Sequence, residues 1–181
     1  KLAYKYMVEQ YTIAGDKRMV QKLEKFPITE LETVPNSYRS LRDEAMHKLG
    51  IGTMHNMKSV VSGIFLPSWK FPEYTLREKI NIWRGKWSAY SINLWNQMIA
   101  TDLTAKVPKL NIPVYFFHGI HDYTCSYALA KDYFEELQAP LKGFYTFERS
   151  AHSPLFEEPE KMQNILKKDV LVGVNNLADS R

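Results

Sequence analysis

Two short stretches have the character of buried β-strands, and their placement constrains the fold more than any other feature. Val114-Tyr-Phe-Phe-His118 is β-branched and aromatic and stops at Gly119, and Gly143-Phe-Tyr-Thr-Phe-Glu148 repeats that character. Between them, Tyr127 to Leu137 has helical spacing and Pro140 punctuates its end. Pro159 suits the first turn of a last helix, striped by Met162, Ile165, Leu166 and Val170. The order strand, helix, strand, helix predicts a parallel pair joined by a right-handed crossover. Parallel sheets are normally covered on both faces, so two such strands read as the edge of a larger sheet. The expected class is α/β.

Residues 1–106 read differently, as a helical region set before the strand-bearing part, 107–181. Tyr4, Met7, Val8 and Tyr11 recur at helical spacing, with Gly15 as a stop. Asp16 can cap a helix carrying Met19, Val20 and Leu23 on one face. Ser37 can cap the next, whose stripe of Leu41, Ala45 and Leu49 ends at Gly50. A further helix is expected over 54–65. Thr75-Leu-Arg-Glu78 has the capping-box pattern. It opens a long helix, or a pair broken near Gly85, that carries Trp83, Trp87, Trp95 and Met98. Packing is the first reading of that stripe; the other is an apolar substrate pocket.

Composition narrows the function classes. Hydrophobic residues at 45% and charged residues at 24% suit a folded globular chain. No apolar run reaches the roughly 20 residues that cross a bilayer, so no membrane partner is expected. The net charge of +4 is dispersed and nearly balanced by 20 acidic residues, which argues against nucleic acid. A lone Cys125 excludes an internal disulfide and fits a reducing compartment, so a cytoplasmic location is expected. The first residue is Lys1 rather than Met, and the sequence is expected to begin partway through a longer protein.

Two loops carry the candidate chemistry, each at the carboxyl end of a strand, where open α/β sheets place catalytic groups. One is His118-Gly-Ile-His-Asp122-Tyr-Thr; the other is Glu148-Arg-Ser-Ala-His152-Ser-Pro-Leu. A buried Asp122 meeting His152 would hold the imidazole tautomer and stabilise its charged form, leaving the ring to act as a general base. The bland alternatives are an Asx-turn aspartate and a surface histidine. His118, His121 and Asp122 are also a plausible metal set, and Cys125 beside His121 a nucleophile pair. The reading adopted is no metal and no cofactor.

The stretches Ile112-Pro-Val-Tyr-Phe-Phe-His-Gly-Ile-His-Asp-Tyr and Phe147-Glu-Arg-Ser-Ala-His-Ser-Pro-Leu-Phe-Glu-Glu-Pro-Glu160 resemble the acid and histidine motifs of proline iminopeptidase-like α/β-hydrolases. The likeness covers about residues 108–170, and more loosely the helical region before it, which resembles the family's cap. It implies that Asp122 and His152 are members of a catalytic triad. It also implies a serine hydrolase, peptidase- or esterase-like, acting on a small peptide or ester. In such aminopeptidases acidic cap residues bind the substrate amine; Glu30, Glu32, Glu44 and Glu73 lie in the corresponding region. The nucleophile elbow, Gly-x-Ser-x-Gly, is absent: the glycines stand at 15, 50, 52, 63, 85, 119, 143 and 173, with no two four apart. Ser62 lacks the first glycine. The expectation is therefore a fragment of a longer enzyme, inactive alone. The rival is a non-catalytic module that self-associates through its exposed sheet edge.

Overall fold

The computed structural model describes residues 1–28, 36–91 and 94–180. Glu30 and Glu32 lie outside them, and for Trp87 and Trp95 only the backbone is described. The chain is of mixed α/β character, with helices surrounding a two-stranded parallel sheet.

The amino-terminal core forms where the predicted stripes meet. Helix α1 (Leu2–Ile13) ends at Gly15, whose φ of 71° suits a residue without Cβ. Helix α2 (Lys17–Glu24) starts on Asp16, whose carboxylate accepts the Met19 N–H at 2.9 Å. Helix α3 (Asn36–Leu49) starts at Asn36, so Ser37 lies inside its first turn instead of capping it. Met7, Tyr11, Met19, Leu23, Tyr38, Ala45, Met46 and Ile51 form one buried cluster. Within it the Tyr11 hydroxyl donates to the Ala45 carbonyl at 2.9 Å, so the buried phenol keeps a partner.

The helix expected over 54–65 does not form as such. Residues 52–56 are bends and turns, and a π-helical turn (Val61–Phe65) runs into α4 (Leu66–Lys70). Met57 is buried against Gly63, where an added Cβ would lie 2.2 Å from the Met57 sulfur. A side chain at 63 would push the Met57 side chain aside.

Helix α5 (Leu76–Ser91) begins on the expected capping box: Glu78 accepts the Thr75 N–H at 2.8 Å, and Thr75 Oγ1 accepts the Glu78 N–H at 3.3 Å. It runs through Gly85 unbroken, because a single interior glycine costs only about 1 kcal/mol. Helices α6 (Leu94–Ile99) and α7 (Leu103–Lys106) follow. Among the described residues from Lys58 to Lys106, none is buried.

Strand β1 (Val114–Gly119) pairs in parallel with β2 (Lys142–Phe147), in register from Val114 opposite Lys142 to Gly119 opposite Phe147. Helix α8 (Tyr127–Glu136) connects them, capped by Ser126, and its Phe134 packs edge-on against Phe116 and Phe144. Helix α9 (Pro154–Glu157) and helix α10 (Pro159–Ile165) follow β2, and the last turn continues as a π-helical segment (Leu166–Val170). Met162 and Ile165 close over Tyr145 and Phe147. Buried Asp169 accepts the Tyr145 hydroxyl and the Leu177 N–H, both at 2.8 Å, which fastens the carboxyl-terminal segment to the sheet. No helix among the described residues is long and apolar enough to cross a membrane.

Candidate active site

Two loops leave the carboxyl ends of β1 and β2 side by side. They touch because Gly119 has no side chain: a Cβ there would lie 2.2 Å from the carbonyl oxygens of both Ser150 and Ala151. The contact is stitched by main-chain bonds, Ile120 N–H to the Phe147 carbonyl at 3.0 Å and His121 N–H to the Ser150 carbonyl at 3.1 Å. A turn then carries Asp122 inward, to 3% exposure, while the second loop presents His152 at its surface.

The predicted pair meets. His152 Nδ1 lies 2.8 Å from Asp122 Oδ2. The other carboxylate oxygen, Oδ1, accepts the N–H groups of Thr124 at 2.8 Å and Cys125 at 2.9 Å. The Asx turn expected as an alternative is present together with the Asp–His bond: one oxygen makes the turn and the other meets the histidine. Burial works to raise the Asp122 pKa, but the bonds from His118, His152 and Cys125 outweigh it and leave it below the usual carboxylate value. The His152 imidazole is pushed up to about 10, first by the hydrogen bond to Asp122 and then by the Cys125 side chain. With Nδ1 committed to the carboxylate, Nε2 is the nitrogen that can exchange a proton.

His118, read from the sequence only as a candidate metal ligand, stands beside the pair. Its Nε2 sits 2.8 Å from the Cys125 carbonyl and 3.3 Å from Asp122 Oδ2, so two imidazoles face one carboxylate oxygen. The i,i+4 spacing of His118 and Asp122 across a strand end was the available signal.

His121, grouped with His118 and Asp122 in the metal reading, is turned away from them. Its ring stacks on His55, with centroids 4.0 Å apart and planes at 20°. Burial, then the neighbouring His55, pulls the His121 pKa below its ordinary value. Among the described residues no group of three or more His, Cys, Asp or Glu side chains is placed to hold a metal.

The histidine loop is held from below by two successive carboxylates. Glu158, 5% exposed, accepts the Arg149 N–H at 2.9 Å and the Ser150 hydroxyl at 2.7 Å. Glu157 accepts the Ala151 N–H at 2.8 Å.

The remaining predicted residues have other surroundings. Trp83 packs on Phe65, centroids 4.9 Å apart, and with Trp69, Ile80 and Arg84 lines a shallow apolar hollow. Met98 is 55% exposed. Glu44 is exposed and bonded to Lys48 at 2.6 Å, which lowers its pKa, and Glu73 is exposed. The Ser62 hydroxyl donates to the Ser59 carbonyl. No hydrogen bond or ion pair joins any of these to Asp122 or His152 among the described residues.

Comparison with known proteins gives two partial matches. Over 76 residues the chain is 34% identical to "Probable aminopeptidase YbaC" of Bacillus subtilis (strain 168), a stretch covering 42% of this chain and 24% of that protein. The relationship is hydrolase-like. Over 64 residues it is 34% identical to "Putative esterase/lipase 1" of Mycoplasma genitalium (strain ATCC 33530), covering 35% of this chain and 24% of that protein. The chain thus spans about a quarter of the length of the curated relatives it matches. Neither a family model nor a solved structure matches it.

Proposed function

We propose that Asp122 and His152 are the acid and the base of a serine hydrolase of the peptidase or esterase kind. The nucleophile and its oxyanion hole would come from outside these 181 residues. The observation that carries this reading is the 2.8 Å bond between Asp122 Oδ2 and His152 Nδ1, made at the carboxyl ends of two adjacent parallel strands. The relatives' names, aminopeptidase and esterase/lipase, support it, since both describe attack on an acyl carbon.

In this reaction the serine hydroxyl gives its proton to His152 Nε2 as it attacks the carbonyl. The imidazolium, stabilised by Asp122, then returns the proton to the leaving amine or alcohol. Asp122 stays ionised throughout, held so by the N–H groups of Thr124, Cys125 and His152 and by the nearby His118 ring.

The electrostatics support inactivity of this chain by itself. A general base must be largely neutral at the working pH, whereas His152 here is protonated at neutral pH. Its ring is 42% exposed, so water as well as Asp122 stabilises the charge. Covering the ring with a nucleophile-bearing surface would desolvate it and bring its pKa down toward the useful range. The expected result with proline arylamides and short acyl esters is no turnover above the uncatalysed rate by this chain. Clear turnover that is lost in His152→Ala would contradict the assignment of the nucleophile to another part of the protein.

A further inference from the structure

Residues 50–57 form a strap that touches both catalytic loops. Gly50, with φ 71°, ends α3 and turns the chain, and His55 Nδ1 bonds back to the Gly50 carbonyl at 2.8 Å. The Ile51 carbonyl then accepts the Tyr123 N–H at 3.1 Å, one residue beyond Asp122. The Gly52 carbonyl accepts the N–H of His152 itself at 3.3 Å. The His55 ring stacks on His121, one residue before Asp122. The strap is closed by a single side chain: Glu157 accepts the His55 N–H on Oε1 and the Ala151 N–H on Oε2. Those two donors are far apart in sequence and belong to the strap and to the histidine loop.

We propose that Glu157 is a positioning residue, whose bridging carboxylate locks the strap to the histidine loop and so holds His152 against Asp122. This rests on the reading of Asp122 and His152 as acid and base. The argument is one of donor counting. Two main-chain N–H groups converge on one side chain, and an ionised carboxylate offers each of them its own oxygen. An amide offers one oxygen and sets its own N–H2 against the second donor, so Glu157→Gln breaks the bridge while keeping shape and volume. The strap then keeps only the single Gly52 bond to the histidine loop, and the 2.8 Å bond of His152 to Asp122 loosens with the lost bridge.

The test is a nuclear magnetic resonance titration of the His152 ring in the whole chain and in Glu157→Gln, with amide exchange at His55 and Ala151. The expected result is a His152 midpoint at least one pH unit closer to 6.5 in the variant, with about ten-fold faster exchange at both amides. A folded variant whose His152 midpoint is unchanged would overturn the proposal, since a merely structural role lowers the melting temperature without moving that midpoint. If Glu157→Gln does not fold, the wild-type chain decides. One bridge requires the His55 and Ala151 amides to open together with matching protection, and ten-fold different protection would refute it. A wild-type midpoint near 6.5 would instead remove the acid–base pair itself, which separates the two failures.

Discussion

Asp122→Asn is expected to remove the alkaline decline in stability expected of the wild-type chain, and to cost about 3 kcal/mol near neutral pH because a buried charge-assisted site is broken. The sign follows from His152. Its folded pKa, about 10, stands above the ordinary 6.5, so the folded chain binds the proton more tightly than the unfolded one. That contribution is complete below pH 6.5 and is lost as pH rises through 10. It amounts to about 2 kcal/mol once solvent screening of a partly exposed ring is allowed for. In Asp122→Asn the Oδ1 acceptor for Thr124 and Cys125 remains. The new N–H2 group stands where His118 and His152 point their nitrogens, and the charge that held the imidazolium is gone. Urea unfolding of both proteins at intervals from pH 6 to 10 checks this. The difference between them removes the contributions of groups common to both, and parallel pH profiles would contradict it.

Gly119→Ala is expected to be as damaging for a steric reason. The methyl group would lie 2.2 Å from two carbonyl oxygens of the histidine loop, main-chain atoms that cannot rotate away. The loops must separate, breaking the His121-to-Ser150 bond and drawing His152 from Asp122. Overpacking of this kind costs about 3 kcal/mol. Thermal unfolding together with the His152 titration measures it. A loss of stability with the His152 midpoint displaced toward 6.5 is expected, and a variant as stable as the wild type would show that the contact is not tight. Gly85 provides the contrast: it has open space where a Cβ would be, so alanine there leaves the loops untouched.

The parts of the structure readable from sequence are those made by local rules. The strand–helix–strand order, the N-cap at Asp16 and the capping box at Thr75 follow from spacing and from what ends a strand or starts a helix, while the pairing of Asp122 with His152 was one option that spacing left open and the family resemblance implied. Of the helix expected over 54–65 only the part from residue 60 is helical, and the bends and turns before it carry no signal in the periodicity. The strap was hidden for a similar reason. Its hold depends on His55 reaching Glu157, 102 residues away. Glu157 and Glu158 stood in the quoted motif, but nothing in their spacing says that both turn back onto the loop before them. Nor did spacing reveal that Trp83 and Met98 lie in a segment with no buried residue among those described.

The claim on which the rest depends is that Asp122 and His152 are bonded in this chain without any other part of the enzyme. Following the His152 ring resonances from pH 5 to 11 tests it most directly. A midpoint near 10, falling by more than one pH unit toward 6.5 in Asp122→Asn, is the expected result. A midpoint at or below 6.5 in the wild-type chain would mean that the carboxylate does not hold the imidazole, and the acid–base assignment would fall with it.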